Sequence, residues 1–128
     1  MDEDRLTPQL GRLIDAAKAA SLRAAETAPR AEGIALLTAG ENIYAGCAGA
    51  DPDTPMASAA AMALAAARGA GETGIAAAAM AVVNDPAQTV LPGAESRQCL
   101  ADVDPDLPVV FKQRGRWVLL LLSQLPDS

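Results

Sequence analysis

The sequence predicts an α/β domain in which a mixed five-stranded sheet is flanked by helices, with elements in the order α-β-β-α-β-α-β-β. Three observations predict it. Short apolar runs bounded by Gly, Asn, Asp and Pro recur along the chain as strands do. Alanine-rich stretches headed by Thr or Pro alternate with them as helices do. No linker or internal repeat interrupts the 128 residues, a length that suits one domain spanning 1–128 with one core.

The first helix is expected from Thr7 to about Glu26, with Thr7 as N-cap, Pro8 at the first helical position, and Leu10, Leu13, Ile14 and Ala17 on one face. Pro29 stops it. A strand over Gly33–Thr38, a turn at Ala39-Gly40-Glu41 and a partner strand over Asn42–Cys47 form a hairpin. The stretch from Ala48 to Thr54 is rich in Gly, Asp and Pro and reads as a loop. Thr54 and Pro55 then cap and start a second helix over Met56–Arg68, which Gly69 and Gly71 end. Ile75–Val83 reads as a buried strand between Gly74 and the turn Asn84-Asp85-Pro86, although its alanines leave a helix open on propensity alone. A third helix is expected from near Pro92 through Leu100. Strands Val109–Lys112 and Arg116–Leu121, joined by Gln113-Arg114-Gly115, close the domain.

Composition limits the function. Hydrophobic residues make up 51% of the chain but aromatics only 2%, so Ala, Val, Leu, Ile and Met must fill the interior. Alanine buries little area per residue, and association between copies is a further source of stability. The net charge of −6, with no histidine, argues against nucleic acid as a partner. The basic trio Lys112, Arg114 and Arg116 fits a polar hairpin turn better. The start Met1-Asp2-Glu3-Asp4 is acidic where a secretory signal is basic, and Val118–Leu122 is too short to span a bilayer. A cytoplasmic protein with no membrane partner is expected. Cys47 and Cys99 are the only cysteines and read as small buried side chains, not as a disulfide or a zinc site.

The element order, and the short stretches at its junctions, resemble the small cytidine deaminases over roughly Leu10 to Pro126. Gly33–Thr38 is similar to the family's V-G-A-A-L-L strand and Asn42–Cys47 to its K-I-Y-T-G-C-N strand. Ala59, Ala63 and Leu64 fit the helix after the family's C-A-E. Pro92–Gln98 looks like P-C-G-A-C-R-Q, and Leu125-Pro126-Asp127 like the terminal L-L-P-x-A-F. The resemblance implies a three-layer cytidine-deaminase-like fold. It also implies which positions would carry the chemistry. Such an enzyme holds one zinc ion by Cys and His side chains at two helix starts, and a glutamate two residues after the first ligand shuttles protons.

Carried over position by position, the zinc ligands fall on Ser58, Gly93 and Ser96 and the proton-shuttling glutamate on Ala60. Serine hydroxyls are poor zinc ligands, glycine has none to offer, and alanine moves no proton. The ribose-binding positions fall on Ala48 and Ala50, and the aromatic that packs on the nucleoside near Arg30. The resemblance thus identifies a degenerate member without zinc or any other cofactor and without catalytic residues.

The expected function is non-catalytic: binding of a partner chain or small molecule, or assembly into a homo-oligomer, with a tetramer favoured by the resemblance. The alternatives are an enzyme with altered chemistry in the same pocket, a chain that works only beside an active deaminase, and a degenerate copy with no ligand. Pocket residues open to other uses are Ser58, Ser96, Glu95 and Arg97, for which the simpler roles are helix capping, a solvated first-turn charge and a structural arginine. The cavity between the two helix starts either takes a small anion or is filled from within, by Ala60, Met56 and Met62 packing inward or by Glu95 turning in.

Overall fold

The computed structural model describes residues 8–24, 31–47, 58–83 and 89–125. Thr7, Pro29, Arg30, the loop from Ala48 to Thr54 with Pro55 and Met56, the turn Asn84-Asp85-Pro86, and Pro126 lie outside them.

Eight elements follow one another as α1 (Pro8–Ala24), β1 (Glu32–Thr38), β2 (Ile43–Cys47), α2 (Ala59–Gly69), β3 (Ile75–Val82), α3 (Ala94–Val103), β4 (Pro108–Gln113) and β5 (Arg116–Leu121). A single 3-10 turn, Leu122–Gln124, ends the described chain. The strands form one five-stranded sheet in the order β2-β1-β3-β4-β5. It is mixed, because β3 and β4 run parallel while the β1–β2, β1–β3 and β4–β5 pairs are antiparallel. The parallel pair has α3 as its crossover, as parallel strands require.

Strand alternation sorts the interior into two layers. Leu13, Ile14 and Ala17 of α1 pack with Ala35, Leu37, Ala77, Ala79, Ala81, Val110 and Trp117. Ile34, Leu36, Met80, Val82, Val109 and Phe111 face the other way, onto Ala60, Ala63 and Leu64 of α2 and Leu100 of α3. The result is a three-layer α/β/α arrangement.

Two glycines set how closely the layers meet. A Cβ on Gly33 would lie 2.4 Å from the Ala17 carbonyl oxygen and from the Ser21 nitrogen, so β1 lies directly against the α1 backbone. A Cβ on Gly46 would lie 2.5 Å from the Ala63 nitrogen, and β2 meets α2 in the same way. These are the glycines of the two strand stretches that carry the family resemblance.

Two expectations are corrected. α2 begins at Ala59, not at Pro55, and its N-cap is Ser58 rather than Thr54: the Ser58 hydroxyl oxygen accepts the Ala61 N–H at 3.2 Å. α3 begins at Ala94 after Gly93 and runs on to Val103, past the expected end at Leu100; Gln98 donating to Asp102 at 2.9 Å supports its last turns. The alanine-rich run Ile75–Val82 is the strand expected there, and β1 and β4, which pair with it on both sides, close off the helix that its alanines left open. The β4–β5 hairpin turns through Arg114 (φ 54°) and Gly115 (φ 80°), left-handed conformations that suit a tight two-residue connection.

Candidate functional site

The N-terminal ends of α2 and α3 meet beside the start of β1. Ser58 and Ala60 lie on the first turn of α2, and Gly93 and Ser96 on the first turn of α3. The structure therefore brings together the four positions on which the zinc and proton-transfer roles fall by resemblance. It also brings a fifth residue that the sequence reading missed, Glu32.

Glu32 is the first residue of β1 and is only 6% exposed, while Ser96 is 1% exposed. The Gly93 backbone N–H donates to Glu32 Oε2 at 2.7 Å. The Ser96 hydroxyl donates to Glu32 Oε1, and its oxygen in turn accepts the Ala60 N–H at 3.2 Å. A chain of hydrogen bonds thus runs from the first turn of α2 through Ser96 to the carboxylate and on to the N-cap of α3. The first turn of an α-helix presents unpaired N–H groups and a partial positive charge. Here the N–H of Ala61 is taken by Ser58, that of Ala60 by Ser96 and that of Gly93 by Glu32.

Among the described residues, what fills this junction is therefore Glu32, not Glu95 or Met62. Glu95 is exposed, a solvated charge in the first turn of α3. Met62 lies against β2 beside Gly46, and Met56 is outside the described residues. Ala60 is fully buried, with its backbone in the network. Ser58 Oγ lies 3.7 Å from Cys99 Sγ, which places the half-buried Cys99 at the edge of the junction. Cys47 is buried and both thiols are free. Arg97 points away from the junction and donates to the Leu125 carbonyl at 2.6 Å, holding the C-terminal turn against α3. Ala48 and Ala50 are outside the described residues. Among the described residues no three Cys, Asp or Glu side chains gather as a metal ion would need.

A signal for Glu32 was present in the sequence, an acid directly heading a wholly apolar strand. Only its partners, 61 and 64 residues further on, explain why it is buried.

A second polar cluster sits at the β1–β2 turn. Glu72 accepts from the Asn42 amide at 2.9 Å and from the Tyr44 hydroxyl at 3.1 Å. The Asn42 hydrogen bond, with those of Thr38 and Tyr44, holds the Glu72 carboxyl below the usual carboxylate range, although partial burial pushes the other way. Partial burial, followed by the bond to Glu72 and its charge, raises the Tyr44 phenol above its ordinary value. These groups tie the turn to the end of α2.

No family model matches the chain, and no curated protein does. A solved structure is similar over almost the whole length: a cytidine deaminase from Burkholderia pseudomallei, 28% identical, with 96% of this chain and 99% of that chain covered and a TM-score of 0.71. Among the described residues no helix is long and apolar enough to cross a membrane. The mixed sheet in the order β2-β1-β3-β4-β5 between α1 and the α2–α3 pair, together with this likeness, makes the fold of the chain cytidine-deaminase-like.

Proposed function

We propose that this chain is a deaminase-like protein that performs no zinc-dependent deamination and acts by binding or by assembly, with a homotetramer as its favoured state. The observation that carries the reading is the place of Glu32. Zinc sites take three or four Cys, His or carboxylate ligands, and a catalytic site keeps one position open for water. Among the described residues, the available groups at the two helix starts are the hydroxyls of Ser58 and Ser96, the side-chain-free Gly93, the Cys99 thiol, and a carboxylate whose two oxygens already accept from Gly93 and Ser96. That donor set does not fit the ion. Ala60 offers no acid or base for moving a proton.

The Glu32–Ser96 pair is a carboxylate beside a hydroxyl, which in an open site would serve as base and nucleophile. At 6% and 1% exposure neither meets a substrate. Altered chemistry in this pocket is therefore the weaker reading, and the pair serves to join two helices.

Three measurements on the purified, tag-free protein test the proposal. Cytidine and related nucleosides should show no turnover above background, and elemental analysis should find no stoichiometric zinc. Sedimentation should give the mass of four chains. About one zinc per chain together with turnover overturns the non-catalytic reading, and a single-chain mass at micromolar concentration overturns the assembly.

A further inference from the structure

A second concavity lies on the α1 face of the sheet, away from the α2 and α3 starts. Lys18 of α1, Ala81, Val82 and the exposed Val83 at the end of β3, Val90, Lys112 near the end of β4 and Trp117 of β5 line a cavity of about 250 Å³. Its existence follows from the sequence of β3. Where α1 crosses the sheet, β3 presents Ala77, Ala79 and Ala81 to it, side chains too small to fill the space beneath the end of the helix. On β4, Val110 and Lys112 share that face by strand alternation. Val110 is fully buried, while Lys112 is half-buried at the cavity. Lys18 lies 5.2 Å from the centre of the Trp117 ring, near enough for a cation–π contact that holds its ammonium at the cavity wall.

The cavity therefore has an apolar floor and two cationic groups at its rim. Among the described residues no acidic side chain lines it. In a chain of net charge −6 with only ten Lys and Arg, two lysines converging on one apolar cavity select for an anion. Size and lining choose between anions. Pockets for drug-sized organic ligands run from about 300 to 1,000 Å³, and this one, just below that range, suits a smaller molecule. An inorganic ion would leave the methyl groups of Val83 and Val90 against its hydration shell.

We infer that this cleft binds a small organic carboxylate with an apolar body, the carboxylate held by Lys18 and Lys112 and the body lying on Ala81, Val83 and Val90. The site is on the opposite face of the sheet from the Glu32 junction and does not depend on the function proposed above.

Trp117 is the chain's only tryptophan and lines the cavity, so its emission reports on this site directly. The probe is benzoate, titrated at constant ionic strength beside benzamide, its neutral counterpart, and inorganic phosphate. Benzoate should change the Trp117 emission saturably and raise the thermal midpoint, while benzamide and phosphate should do neither. Lys112→Met, which keeps the aliphatic stem and leaves the Trp117 ring contact alone, should weaken benzoate binding about tenfold or more, as the loss of a charge-assisted hydrogen bond does. Equal responses to benzoate and benzamide, no saturation with benzoate, or unchanged binding in a folded Lys112→Met variant would each overturn the assignment. Phosphate acting as well as benzoate would overturn the part played by the apolar floor.

Discussion

Replacing Glu32 by alanine tests the physical account of the junction. The change removes the acceptor of the Gly93 N–H and of the Ser96 hydroxyl and leaves both donors in a site where the parent side chain is only 6% exposed. A hydrogen bond to a charged group is worth about 1.5–3 kcal/mol net, and a buried donor left unmade costs about 1–3 kcal/mol. Against this, the variant no longer buries a carboxylate, which recovers part of the desolvation cost. The balance is a loss of about 2–4 kcal/mol, or roughly 10 °C in thermal midpoint for a domain of this size. Urea unfolding is the assay: the midpoint should fall while the slope stays constant, which separates lost stability from a changed unfolded state. Glu32→Gln should lose less than half as much, because its amide oxygen still accepts from Gly93 and its NH₂ can donate to the Ser96 oxygen. A Glu32→Ala variant within about 0.5 kcal/mol of the parent, the range of an ordinary surface substitution, would refute the reasoning.

Gly33→Ala and Gly46→Ala each drive a Cβ into a helix backbone, at 2.4 Å and 2.5 Å. Each should cost about 3 kcal/mol in the same unfolding assay because backbone cannot step aside as a side chain would. Gly11, inside α1 with nothing within 4 Å of an added Cβ, is the control; Gly11→Ala should stabilise by about 0.5–1 kcal/mol through helix propensity. Equal effects at the three glycines would contradict the close-packed layers. Glu72 predicts a pH dependence. Its carboxyl is held below the usual range in the folded state, so its contribution to stability is present above the unfolded-state pKa and is lost as pH falls through the folded value. The stability difference between the parent and Glu72→Gln should therefore shrink in acid, below about pH 4.3. A difference that stays constant from neutral pH into that range would show that the hydrogen bonds at the β1–β2 turn do not distinguish the charged from the neutral carboxyl.

Helix capping and strand pairing both depend on more than local preference. Ser58 caps α2 and Thr54 does not, and only the geometry of the chain around Ser58 decides between two residues of the same capping class. The run Ile75–Val82 has the alanine content of a helix, and pairing with β1 and β4 makes it a strand. Propensity is a local quantity of a few tenths of a kcal/mol per residue, and pairing on both edges outweighs it.

Element order and the two hairpins are local signals, and the sequence by itself determined them. The periodicity of a segment and the conformational limits of Gly and Pro act within a few residues. Tertiary structure alone decided what the local signals cannot express. Glu32 heads an apolar strand as an unexplained charge until the start of α3, more than 60 residues away, supplies its donors. Lys112 reads as part of a polar hairpin, until α1 crosses the sheet and sets it on one cavity with Lys18. The cost of burying a charge depends on the dipoles and cations around it, and those come from distant parts of the chain only when the fold has closed.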